Sequence, residues 1–116
     1  MNIETVVYQQ LKHLGVPVSL SGYSYLQEAI VRVLEDPSLI RKVTIKLYPD
    51  IAKKYDTLAS RVERSIRHAI EHVYSNTDED IIAQYFGNTI NLASGKLTNI
   101  QFIAGIAEYI KMEVRA

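Results

Sequence analysis

The sequence contains no cysteine, and only three of its 116 residues are proline. The absence of cysteine excludes a disulfide framework, a thiolate zinc site and a cysteine nucleophile, and it is typical of a reducing compartment. No apolar run approaches the about 18 residues of a membrane span. Residues 1–14 mix polar with apolar side chains, unlike a signal peptide. We therefore expect a cytoplasmic protein without a membrane partner.

The sequence also lacks the common arrangements of catalytic residues. It has no glycine-rich phosphate loop, no legible Ser-His-Asp arrangement and no paired-carboxylate pocket. One stretch, His68-Ala69-Ile70-Glu71-His72, matches the H-x-x-E-H zinc motif of some metalloproteases. Such a site needs a third protein ligand and a substrate cleft, and patterns this short arise readily in polar helices. We therefore predict no enzyme, no metal site and no cofactor.

The length and composition are those of one ordinary globular domain, which we expect to cover residues 1–116. Apolar residues make up 47% and charged residues 22%, which excludes a disordered or fibrous chain. The net charge is zero, but residues 41–72 hold eight basic and four acidic residues. Such a basic segment suits a face that binds a polyanion, and a solvated helical surface is the alternative.

Apolar residues recur at helical spacing and alternating strand patterns are missing, which predicts an all-α domain of six to seven helices. Asn2 and Thr98 or Asn99 are predicted N-caps, and Gly15 and Asp36-Pro37 are predicted to end helices. The interval 88–97 is predicted to be a loop. The predicted helices cover residues 2–14, 23–35, 38–48, 49–55, 57–75, 78–86 and 100–114.

The predicted helix over residues 57–75 has two chemically distinct faces. At 100° per residue, its apolar residues fall within one arc of about 120°. The polar residues, three arginines among them, occupy the opposite side. The apolar arc consists of Leu58, Ala59, Val62, Ile66, Ala69, Ile70 and Val73.

A short helix, a tight turn and this longer helix follow one another in the order of a helix-turn-helix over residues 49–75. Ile51, Ala52 and Tyr55 are expected to face inward from the first helix, where the small Ala52 lets the two axes approach. Asp56 suits the turn, because aspartate tolerates a left-handed backbone better than most residues. The pattern therefore predicts a module that binds double-stranded DNA.

In this geometry the N-terminal half of the second helix enters the major groove. Arginine can donate two hydrogen bonds to guanine, and glutamate can accept from cytosine. Lysines and other polar groups near the helix-turn-helix would contact phosphates and make the affinity sensitive to salt. The base-contacting candidates are Ser60, Arg61, Glu63 and Arg64, and the phosphate-contacting candidates are Lys46, Lys53, Lys54, Thr57, Arg67 and His68.

These segments resemble the family of C-terminal effector domains of the sporulation master regulator, stage zero sporulation protein A. The resemblance is carried by LYPDIAKKY at 47–55 and ASRVERSIRHAIE at 59–71. It extends to GVP at 15–17, GYSYLQEAI at 22–30, FGNT at 86–89 and TNIQFIA at 98–104, and so covers nearly the whole chain.

The resemblance implies a response-regulator effector domain that regulates transcription in sporulation. It implies an all-helical fold, binding to a short promoter box, often as head-to-tail pairs, and base contacts from Arg61, Glu63 and Arg64. It also implies contact with the sigma subunit of RNA polymerase through the segment between Thr77 and Thr89.

Two departures from the family pattern affect these expectations. Where the family usually has a second threonine before the recognition helix, this sequence has Leu58, so the helix cap must rest on Thr57 or change. Family members normally carry a phosphorylatable receiver domain, and no segment of these 116 residues could supply one. We therefore expect no receiver domain and no control by phosphorylation.

A helical protein-interaction module is the alternative function. In that case the basic face would bind an acidic partner instead of DNA. Eight tyrosines are present, more than the core requires, and tyrosine is favoured at interfaces. Tyr74, on the polar side of the helix over 57–75, is the strongest candidate for such a contact.

Overall fold

The computed structural model describes residues 2–87 and 96–114, which form six α-helices and contain no β-strand. This architecture confirms the predicted all-α class. Most of the predicted loop over 88–97 lies outside the described residues. The helices are α1 (Ile3–His13), α2 (Ser21–Glu35), α3 (Tyr48–Lys54), α4 (Ala59–Asn76), α5 (Glu79–Phe86) and α6 (Asn99–Tyr109).

The predicted continuous helix over residues 38–48 is wrong, because the chain makes two separate turns there. A 3₁₀ turn, Pro37–Arg41, ends at Lys42, whose dihedrals (φ −130°, ψ 32°) leave the helical region. A π-helical turn, Val43–Leu47, then leads directly into α3. Pro49 lies in the first turn of α3, where its missing N–H needs no partner. A second π turn, Ile110–Val114, follows α6.

Three predicted helix ends, two set by a capping side chain and one by a glycine, are confirmed. The Asn2 side chain accepts a hydrogen bond from the Thr5 N–H at 2.8 Å. Thr98 and Gln101 form a reciprocal capping box at the start of α6. Gly15 adopts φ +86°, a left-handed conformation that ends α1 at little steric cost.

The core surrounds α2, which packs against α1, α4 and α6. Its Leu26, Ala29 and Ile30 are completely buried. Because α2 has partners on several sides, it holds the elements of the candidate site against the rest of the domain. The largest fully buried side chains of the described core are Phe102, Leu11, Leu14, Leu26, Ile30, Leu47, Ile51, Ile66, Ile70, Ile103, Ile106 and Ile110.

Candidate nucleic-acid interface

We call α3, residues 55–58 and α4 the helix-turn-helix unit. Asp56 is the one described non-glycine residue with a positive φ, +53°. The Thr57 N–H donates to the Ala52 carbonyl at 2.9 Å, which closes the turn. The prediction that Asp56 takes a left-handed backbone is therefore confirmed.

The two helices of the unit meet through small and branched apolar side chains. Ile51 and Ala52 are buried on α3, as predicted, and Val62 and Ile66 are completely buried on α4. The inward orientation predicted for Tyr55 is wrong, because its side chain is 39% exposed.

Tyr55 packs instead against α2. Its ring lies edge-to-face on the Tyr25 ring, with the centroids 5.3 Å apart. The end of α3 therefore contacts α2 through Tyr55, in addition to the contact that Ile51 and Ala52 make with α4.

Helix α4 starts two residues later than predicted. Leu58 is its N-cap residue, with an extended backbone (φ −102°, ψ 145°) and no side-chain capping bond, so Thr57 is not the cap. An N-cap residue does not have helical dihedral angles, so the spacing of 100° per residue does not apply to Leu58. Leu58 is therefore not part of the apolar arc and is 65% exposed. The Arg61 N–H donates to the Leu58 carbonyl at 3.0 Å, whereas the N–H groups of Ala59 and Ser60 have no intrahelical acceptor.

The rest of the predicted arc of α4 packs as expected. Val62, Ile66, Ala69, Ile70 and Val73 are all buried. Ala59 is partly buried and packs against the core. The helix is therefore fixed along one side, and its opposite side is free to meet a ligand.

Arg61 and Arg64 lie on the exposed side of the first turns of α4. Neither guanidinium makes a hydrogen bond or an ion pair with any residue that the structure describes. Ser60 is also exposed. These side chains can therefore donate hydrogen bonds to a partner without first breaking internal ones.

Glu63 and Arg67 are paired on the same helix. Arg67 Nη1 lies 3.1 Å from Glu63 Oε1, and both side chains are about half exposed. An exposed pair of this spacing contributes only about 0.3 to 0.5 kcal/mol, so a ligand can separate it at little cost.

Asn99 is a positioning residue of the unit that sequence reasoning named only as a possible cap. Its side-chain amide donates to the Glu63 carbonyl at 3.0 Å and to the Tyr48 hydroxyl at 3.1 Å. Burial raises the pKa of Tyr48. The start of α6 thereby links α3 to α4, a contact that no local sequence pattern signals.

The other predicted phosphate contacts differ in what they already bind. Lys53 and His68 are exposed and bind no described residue, and Thr57 is partly buried. Lys46 lies 3.2 Å from Asp50 in an exposed pair. Lys54 differs from all of these, because its ammonium is held by a partly buried carboxylate.

That carboxylate belongs to Glu28, on α2. Lys54 Nζ donates to Glu28 Oε1 at 2.6 Å, and Arg32 Nε donates to Glu28 Oε2 at 2.7 Å. The Glu28 side chain is only 16% exposed. Burial raises its pKa, but the hydrogen bonds from Lys54 and Arg32 outweigh burial and lower the pKa of Glu28 overall. The Glu28 carboxylate in turn raises the pKa of Lys54.

Replacing Glu28 with glutamine should make the stability less dependent on acid pH. The pKa of Glu28 lies below its ordinary value of 4.5 in the fold, so its contribution is complete above about pH 4.5 and is lost as the pH falls through the folded value. We expect a loss of about 1 kcal/mol in the free energy of unfolding at neutral pH. In urea titrations the difference between the two proteins should shrink as the pH falls below about 4.5, and a difference that stays constant would contradict the assigned charge state.

The His68–His72 stretch and Tyr74, which the sequence singled out for other functions, do not form a separate site among the described residues. Among residues 2–87 and 96–114, no three histidine or acidic side chains lie close enough together to hold a metal ion. His68 is exposed, and His72 Nδ1 lies 3.4 Å from the amide nitrogen of Asn76. Tyr74 is partly buried, and its hydroxyl accepts from the Leu97 N–H at 3.3 Å. Tyr74 therefore has an internal role.

An all-helical domain with an exposed, arginine-bearing second helix has the form of a helix-turn-helix DNA-binding domain. Residues 7–110 match the family model described as Sporulation initiation factor Spo0A C terminal. Since the match covers nearly the whole chain, the chain belongs to this family. Membership implies a DNA-binding regulatory domain of sporulation initiation. None of the described helices is both long enough and apolar enough to span a membrane.

Proposed function

We propose that the chain binds double-stranded DNA in a sequence-specific manner, with the N-terminal half of α4 in the major groove. The observation that carries the proposal is the pair Arg61 and Arg64, which are exposed and bind no described residue on a helix whose opposite side is buried. A helix anchored along one side and supplied with free donors on the other is suited to reading base edges.

The base contacts come from four residues of the first two turns. Arg61 and Arg64 donate to the O6 and N7 atoms of guanine, and Glu63 accepts from the amino group of cytosine. Glu63 binds Arg67 through Oε1, which leaves Oε2 for a base. Ser60 contacts either a base or its sugar.

The phosphate contacts come from groups around the helix. The free N–H groups of Ala59 and Ser60 suit a phosphate, because a helix N-terminus carries partial positive charge. Around them lie cations and a hydroxyl that add salt-sensitive affinity. The side chains in this set are Lys46, Lys53, Thr57, Arg67 and His68.

Two protein partners belong to the same proposal. A second copy of the chain binds head-to-tail on neighbouring DNA, and the sigma subunit of RNA polymerase binds the segment 77–89, of which residues 88 and 89 lie outside the described part. The exposed Asp78, Glu79 and Asp80 at the start of α5 give that segment a negative charge. A basic surface on sigma would complement it.

Selection of bound duplexes from a random pool tests the main proposal. We expect one short box to be enriched, with an affinity at least about 10³-fold above that of a scrambled duplex at the same salt concentration. Fluorescence anisotropy titrations would measure both affinities. Equal binding to all duplexes and to an acidic polymer such as polyglutamate would contradict sequence-specific recognition and favour the protein-interaction module.

A further inference from the structure

One cluster of polar and aromatic side chains joins the end of α3 to α2. Glu28 accepts from Lys54 at 2.6 Å and from Arg32 at 2.7 Å, and the ring of Tyr55 meets that of Tyr25. Lys54 Nζ also lies 5.6 Å from the centre of the Tyr55 ring. We call these five residues, Tyr25, Glu28, Arg32, Lys54 and Tyr55, the α2–α3 clamp.

The α2 members of the clamp form one continuous stripe. Tyr25, Glu28 and Arg32 are spaced three and four residues apart, so they lie on the same side of α2. Glu28 is the central member, and its two carboxylate oxygens bind two different cations. Removing one cation would leave a partly buried carboxylate with a single partner, which is costly.

The clamp lies where it can set the direction of the recognition helix. Lys54 is the last residue of α3, and the left-handed Asp56 follows two residues later. On the far side of the turn, α4 packs on the same helix, because Gly22 of α2 lies against the Ser65 backbone. Since α2 contacts both helices of the unit, a shift of the α3 end against α2 changes the angle at which α4 leaves the turn.

We propose that Lys54 and Glu28 are positioning residues for DNA recognition, and that the charge of Lys54 serves the α2–α3 clamp instead of neutralising a phosphate. This inference rests on the proposed function. Lys54 then affects how well the box is distinguished from other sequences. Lys53, its exposed neighbour without a described partner, affects only the salt-dependent attraction to all duplexes.

The neighbouring lysines provide a matched test, with the selected box and a scrambled duplex as probes. For Lys54→Met we expect the ratio of the affinity for the box to that for the scrambled duplex to fall about fivefold. A change of this size is within the range of couplings measured between contacting residues. The slope of log K against log salt concentration should not change. For Lys53→Met the slope should fall by about 0.9 and the ratio should stay constant. Lys54→Arg should restore the ratio, because arginine can also donate to Glu28.

Glu28→Gln supplies a second measurement that leaves the Lys54 charge in place. The clamp predicts a lower ratio of affinities, and the double variant with Lys54→Met should lose no more than either single variant. If Lys54 were a phosphate contact, Glu28→Gln would release it and strengthen binding to every duplex alike. An unchanged ratio or a lowered salt slope for Lys54→Met overturns the inference. Absence of any preferred box in the wild-type protein would instead overturn the proposed function.

Discussion

Arg61→Ala and Arg64→Ala are each expected to lower the affinity for the selected box by about 5- to 150-fold relative to a scrambled duplex. This range corresponds to the about 1 to 3 kcal/mol that one bidentate arginine–guanine pair contributes to discrimination. Both side chains are exposed and bind no described residue, so their removal costs the fold little. Alanine also favours a helix, and circular dichroism should show unchanged helicity.

Arg67→Ala is the matched control on the same helix. Arg67 lies one turn beyond Arg64 and pairs with Glu63, and we assign it to a phosphate. Its loss should weaken binding to all duplexes by a similar factor and lower the salt slope by about 0.9. Equal losses on every sequence from all three variants would contradict the division between base and phosphate contacts.

Features that depend on neighbouring residues in the sequence could be predicted. The buried arc of α4 follows from helical periodicity, and it places Val62, Ile66 and Val73 in the core. The left-handed turn follows from an aspartate at position 56, and the start of α6 follows from the capping residue Thr98. In each case the physical cause acts within about one helical turn.

Features that depend on distant contacts or on hydrogen-bond register could not be predicted. Apolar spacing marks residues 38–48 as helical, but it does not distinguish a continuous α-helix from a 3₁₀ turn followed by a π turn. Glu28 and Lys54 are 26 residues apart, and Asn99 and Glu63 are 36 apart. Their pairing depends on how the helices pack, which periodicity alone does not define.

The candidate site therefore depends on α2 as much as on the helix-turn-helix unit itself. The clamp holds the end of α3, and Asn99 ties α4 to α3 through the Glu63 carbonyl and the Tyr48 hydroxyl. The backbones of α2 and α4 also approach closely at Gly22. A substitution at that crossing should separate the two helices without touching any side chain proposed to contact DNA.

Gly22→Ala is expected to lower the free energy of unfolding by at least about 2 kcal/mol. Alanine normally stabilises a helix by about 1 kcal/mol over glycine, but here its Cβ would overlap the Ser65 carbonyl oxygen and lie only 2.8 Å from the carbonyl carbon. Overpacking commonly costs about 1 to 3 kcal/mol, and a backbone oxygen has little freedom to move.

Ser24→Ala, two residues further along α2, separates this steric effect from helix propensity. Ser24 is partly buried and binds no described side chain, so its replacement should change the free energy of unfolding by no more than about 0.5 kcal/mol. Urea titrations followed by circular dichroism would measure both variants. Because α4 must move to admit a Cβ at position 22, Gly22→Ala should also weaken discrimination of the selected box. A variant as stable as the wild type would show that the α2–α4 crossing is not a close backbone contact.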